Sequence, residues 1–138
     1  MKLVIDGIPR TKKNHTRRIK RGRRVFSVQS EAHEAWAGPA VLQLRFQAAR
    51  ARAMERLMDT LKAVLPDEPV NMRAIVYRDR RVGDLLNYLA AVSDVLEQAG
   101  VVDNDRLIVT VDGSRLRVDK RRPRVEIELT PARADAGP

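Results

Sequence analysis

Apolar and polar positions change period several times along the chain, and each change marks an element. Residues 2 to 6, KLVID, are a short apolar run ending at Gly7 and Pro9, which predicts a strand followed by a loop. Residues 24 to 28, RVFSV, predict a second strand after a turn at Gly22. Ser30 is a candidate helix cap, with Glu31 and Glu34 placed to favour the first turn. Composition from 31 to 64 is helical, but Gly38 and Pro39 are expected to break or kink the helix. Beyond them Val41, Leu44, Ala48, Ala51, Met54 or Glu55, Met58, Leu61 and Leu65 keep an approximate helical period, ended by Pro66 and Pro69.

Residues 70 to 77 alternate, with Val70, Met72, Ala74 and Val76 on one face of a strand. A charged turn, RDRRVG, leads into a helix over about 84 to 99, stopped by Gly100. Residues 107 to 111 and 124 to 129 predict strands, and 115 to 118 a further strand or part of a loop. The order β, β, α, β, α, β, β, without internal repeats, predicts the α/β (α+β) class: a small mixed sheet with helices packed on it. A single domain over 1–130 and a flexible tail over 131–138 are expected.

On a helical wheel Leu85, Tyr88, Leu89, Val92, Val95, Leu96 and Ala99 form one stripe, the core face. Asn87, Ser93, Asp94, Glu97 and Gln98 occupy the other side. Leu86 and Ala90 fall on that polar side, four residues apart and so neighbours along the surface. The spacing alone is equally met by a patch that packs on another chain or loop.

Charge changes the picture more than composition does. The 138 residues include no cysteine, which excludes disulfides and thiolate metal sites. No apolar run approaches the roughly 18 residues a membrane span needs, and the start lacks the apolar core of a secretion signal, so a cytoplasmic location is expected. The chain has 27 basic and 18 acidic residues; residues 10 to 24, RTKKNHTRRIKRGRR, hold nine of the basic ones and no acid. The remainder is formally neutral. Such a concentration fits a polyanion, most often nucleic acid, gripped through phosphates without base readout. Lys12, Lys13, Asn14, Arg17, Arg18, Lys20, Arg21, Arg23 and Arg24 are the candidate DNA-binding residues. Phe26 is read as a core residue, with a wedge into a junction as the alternative, Trp36 as core or dimer interface, and His15 and His33 as bystanders to any chemistry.

Acids cluster where the 84–99 helix begins and after it ends: Asp84, then Asp103, Asn104 and Asp105. Acids at the ends of neighbouring sheet elements can converge, and Mg²⁺ takes oxygen ligands from one or two carboxylates, water and phosphate. Paired ions can clamp the attacking and leaving oxygens of a phosphodiester. The same residues also suit an N-cap and ordinary turn material.

Residues 83 to 108 resemble the RusA family of Holliday junction resolvases. The family hallmark reads D-x-D-N-L-x-K-A-x-x-D-x-L, then a glycine, an acidic turn and a strand. Here Asp84, Asn87, Ala91, Asp94, Leu96, Gly100, Asn104 and Asp105 stand in that order and spacing. The G-x-P-x-x-K-K-N of residues 7 to 14 and the closing RVEIEL are also similar to the family. The resemblance implies a homodimer that cleaves four-way junctions by Mg²⁺-dependent paired nicks, with Mn²⁺ as a substitute. By position it implies Asp84 and Asp105 as metal ligands, Asp103 as a substitute ligand, and Asn87, Asp94 and Asn104 in support. Leu86 stands where the family has its second acid and Ala90 where it has its lysine. The expected function is therefore a structure-selective DNA endonuclease with impaired or absent cleavage. The alternative is a non-catalytic protein that binds branched DNA.

Overall fold

The computed structural model describes residues 1–10, 16–22, 24–29, 31–58 and 64–132. Its strands are β1 (Lys2–Asp6), β2 (Thr16–Arg21), β3 (Arg24–Gln29), β4 (Val70–Arg78), β5 (Ile108–Thr110), β6 (Arg115–Val118) and β7 (Arg124–Pro131). Its helices are α1 (Glu31–Met58) and α2 (Leu85–Gln98). A 3₁₀ turn over Asp105–Leu107 precedes β5.

The main sheet runs β1-β7-β4, with β5 and then β6 continuing along the far edge of β4. Strand β7 is antiparallel to both β1 and β4, whereas β5 and β6 are parallel to β4. The sheet is mixed, as expected. Alternation explains its two faces. Leu3, Ile5, Val70, Met72, Ala74, Val76, Val125, Ile127 and Leu129 are buried under the helices. The opposite face carries charge: Arg73 pairs with Glu128, and Arg124 with Glu126.

Both edges are managed. On β1 the Val4 N–H donates to Gln47 Oε1 at 2.7 Å, and Gln47 Nε2 donates back to the Val4 carbonyl at 2.7 Å. The Asp6 N–H donates to Gln43 Oε1 at 2.9 Å. Two glutamines one helical turn apart thus occupy the groups through which another strand would pair. On the other edge an Asp112–Gly113 turn separates β5 from β6. Asn71 Oδ1 accepts from Thr110 Oγ1 and from the Asp112 N–H, while Ser114 Oγ accepts from the Ala74 N–H. The interruption keeps the polar backbone of β4 satisfied.

The anticipated break at Gly38–Pro39 does not occur; α1 runs unbroken through Pro39. Proline there removes the bond to the Ala35 carbonyl, but both residues are exposed and water can take that carbonyl. Trp36, Ala37, Ala40, Leu44 and Ala48 hold the helix to the sheet on both sides of it. The period expected farther on fails for Met54 and Met58, which are exposed. Gln43 faces Asp6 and Gln47 faces Val4, so the helix outruns the start of β1 soon after Ala51. The helix is assigned to Met58, and Leu61 and Ser30 lie outside the described residues. Pairing of β7 extends to Pro131, and the Ala132 N–H donates to the Pro69 carbonyl at 2.9 Å; residues 133–138 are outside the described set. None of the described helices is long and apolar enough to cross a membrane.

The expected core face of α2 holds. Tyr88, Leu89, Val92, Val95 and Leu96 are buried, with Leu85 and Ala99 packed at its margin. Ala91 joins them at the border of the stripe. Gly100, at φ 71°, turns the chain out of the helix, and the Val101 N–H closes on the Leu96 carbonyl at 3.0 Å. The expected turn at Gly22 and strand after it are present; of the two forms open to the basic segment, loop or hairpin, it takes the hairpin, with Thr16–Arg21 as a strand the sequence pattern does not predict.

Candidate functional site

Asp84 is the N-cap of α2, reached by the loop that leaves β4. That loop is tied down by three bonds. Arg78 Nη1 donates to the carbonyls of Val82 and Gly83 at 3.0 and 2.9 Å, and Tyr88 Oη donates to the Val82 carbonyl at 2.7 Å. Gly83 sits at φ 88°, and a Cβ there would collide with the Tyr88 phenol. Gly83→Ala is therefore expected to lower stability by about 2–4 kcal/mol, from left-handed backbone strain plus overpacking. Urea denaturation would check this, and a loss under about 0.5 kcal/mol, the ordinary range for surface substitutions, would show that the loop is not built this tightly.

The Asp84 carboxylate accepts from the Asn87 N–H at 2.9 Å through Oδ1 and from Asn87 Nδ2 at 3.0 Å through Oδ2. Asn87 therefore fixes the plane of the carboxylate while leaving it exposed. Leu86 and Ala90 lie on the open side of α2, Leu86 with 76% of its surface exposed. Leu86 is the second helical residue, where an acid would meet the positive end of the helix dipole. The apolar side chain gains little from burial there.

Asp105 opens the 3₁₀ turn, and Asn104 caps that turn by accepting the Arg106 N–H at 2.9 Å. Asp103 donates its N–H to the Pro66 carbonyl at 2.8 Å. Arg52 braces this corner from α1, donating through Nη2 to the Val101 and Val64 carbonyls. Asp103, Asn104 and Asp105 are all exposed, while Asp94 is half-buried midway along α2.

The expected convergence of Asp84 and Asp105 does not take place within the chain. Helix α2 runs back along β4, so the two acids stand beyond its opposite ends. Its 14 residues set them roughly 20 Å apart. Among the described residues no three Asp, Glu, His or Cys side chains gather where an ion would fit. The chain by itself thus offers Mg²⁺ isolated carboxylates, and the residues do not fit one ion shared by Asp84 and Asp105.

Of the candidate DNA-binding residues, Arg17, Arg18, Lys20, Arg21 and Arg24 lie on the hairpin strands. Lys12, Lys13, Asn14 and Arg23 lie outside the described residues, as does His15. The hairpin is inserted between the end of β1 and the start of α1, so its root lies at the Asp84 end of the sheet. His33, buried, donates through Nδ1 to the Arg10 carbonyl at 2.7 Å and ties that root to α1. Trp36 is in the core.

The family model described as endodeoxyribonuclease RusA matches residues 6–130. The chain belongs to the RusA family. The match runs from the end of β1 almost to the end of β7, so it takes in the basic hairpin, the Asp84 cap and the acidic turn together. RusA-family proteins are DNA endonucleases, which selects DNA among the polyanions that the charge pattern admits. Comparison with curated protein sequences finds no match.

Sequence reasoning passed over one feature of this end of the molecule. Residues 117 to 124, RVDKRRPR, hold five basic residues and one acid. The Asp119 N–H donates to the Arg78 carbonyl at 2.8 Å, and the Gly7 N–H to the Pro123 carbonyl at 3.0 Å. The segment is thereby anchored between the Asp84 loop and the root of the hairpin.

Proposed function

We propose that this RusA-family protein binds four-way DNA junctions as a homodimer, and that Leu86 and Ala90 impair its Mg²⁺-dependent cleavage of them. The observation that carries the reading is the exposure of both substituted positions on α2, immediately after the capped and oriented Asp84. The helix keeps the frame of a carboxylate site but offers a hydrocarbon where the family has an acid. Hydrocarbon cannot ligate a hard cation. Ala90 lacks the positive group that would stabilise charge developing on the phosphate.

A dimer also answers the separation of Asp84 from Asp105. Two copies related by a two-fold axis across the open side of α2 would run their helices antiparallel. Asp84 of one protomer would then approach Asp105 of the partner subunit. Charge favours this arrangement. The loop leading to Asp84 carries Arg80 and Arg81, whereas the Asp105 end carries Asp67, Glu68 and Asp103. Antiparallel apposition brings unlike ends together.

The test is incubation of the wild-type protein with a synthetic four-way junction and a linear duplex, with Mg²⁺ or Mn²⁺, beside a gel-shift assay. Selective binding of the junction with little or no nicking is expected. Rapid paired nicks would overturn the impairment. Absence of any junction preference would overturn the substrate assignment.

A further inference from the structure

We propose that the turn over residues 117–124 is a second phosphate-binding element, which grips the backbone of a duplex DNA arm beside the Asp84 end of the sheet. The proposal rests on the DNA-binding reading above and adds a surface outside the basic hairpin. Its first support is the way the turn is built. Asp119 Oδ1 accepts the N–H groups of Arg121 and Arg122 at 3.0 and 3.2 Å, and its Oδ2 accepts from Arg124 Nη1 at 2.9 Å. The hydrogen bond from Arg124, followed by that from the Arg122 N–H, holds the Asp119 carboxyl below its ordinary value. Arg124 also donates to Glu126 and lies 3.8 Å over the Tyr77 ring, so its charge is spent on structure.

The second support is what the lock leaves over. The sole acid of the turn is committed to Arg124 and the backbone. Lys120 and Arg121 are exposed and have no acidic partner among the described residues. Arg122 only approaches Asp6, at 3.6 Å with both side chains well exposed. Three consecutive cations on a fixed turn repel one another, and an external anion would relieve that repulsion. Beside them Arg81 and Arg117 line an open cleft of about 470 Å³. The result is a positive face on a backbone turn held in place, adjoining the hairpin root on one side and the Asp84 loop on the other. Exposed cations of this kind suit the sugar–phosphate backbone and contribute affinity without sequence readout.

The experiment compares wild type, Lys120→Gln/Arg121→Gln, and the equal-charge control Arg50→Gln/Arg56→Gln on the outer face of α1. Fluorescence anisotropy with a four-way junction and a linear duplex is measured across a salt series. The turn variant is expected to make the negative slope of log K against log salt shallower by about 1–2, at roughly 0.9 for each phosphate no longer neutralised. Its affinity near physiological salt should fall about tenfold, with an unchanged thermal midpoint, and the control should match wild type. Equal loss in the control, or a turn variant indistinguishable from wild type, would overturn the second element while leaving junction binding intact. Failure of wild type to bind either DNA would remove the functional reading itself, and this inference with it.

Discussion

Leu86→Asp with Ala90→Lys is expected to raise the rate of junction nicking by at least about 10²-fold, the scale seen when one preorganised charge-stabilising group is restored to an active site. The fold should tolerate both changes. Leu86 is already 76% exposed, so little burial is lost. An aspartate at the second helical position gains about 0.3–1 kcal/mol from the helix dipole, which offsets its propensity cost of roughly half a kcal/mol relative to leucine. Ala90 is exposed, and lysine in a helix interior is only slightly worse than alanine. Initial rates on a four-way junction, with Mg²⁺ and with EDTA, measure the effect. Leu86→Asp alone should restore part of it, since the ligand returns without the positive group. Junction binding that persists in the double variant without nicks would mark the scaffold as a binder.

Much of this architecture is legible because local rules and packing agree. The stripe on α2, the alternation of β4 and the glycine that ends α2 each follow from one short window of sequence. The exceptions are instructive. Pro39 stays inside α1 because its freed acceptor faces water while core residues on both sides pin the helix. Met54 and Met58 keep a helical period yet remain exposed, since periodicity says nothing about where the sheet beneath ends. Charge arithmetic treats everything outside residues 10 to 24 as neutral, but charges are not averaged in space. Lys120, Arg121 and Arg122 gather at one end of the sheet, and Asp67, Glu68 and Asp103 at the other. The motif itself misleads in a similar way. Asp84 and Asp105 read as one constellation because a single stretch of chain carries both, yet that stretch contains a helix whose length holds them apart.

That separation leads to the second large effect, a complementation between two inactive proteins. In the background carrying Leu86→Asp and Ala90→Lys, Asp84→Asn and Asp105→Asn are each expected to reduce nicking at least about 10²-fold. Mixed and allowed to exchange subunits, they should recover activity if each site takes Asp84 from one protomer and Asp105 from its partner. In the heterodimer both substitutions then fall in one site, and the other site has both acids intact. If each site drew both acids from one protomer, every site in the mixture would lack one acid and the mixture would stay inactive. The product distinguishes the arrangements further. A heterodimer with one working site cuts one strand, so the recovered activity should yield nicked junctions and few resolved duplexes. Neither substitution should unfold the chain. Asp105 is exposed and makes no side-chain bond among the described residues, and asparagine at position 84 remains a good helix cap. Native gel electrophoresis of the junction products resolves the two species, and a mixture no more active than its components would place the site within a single protomer.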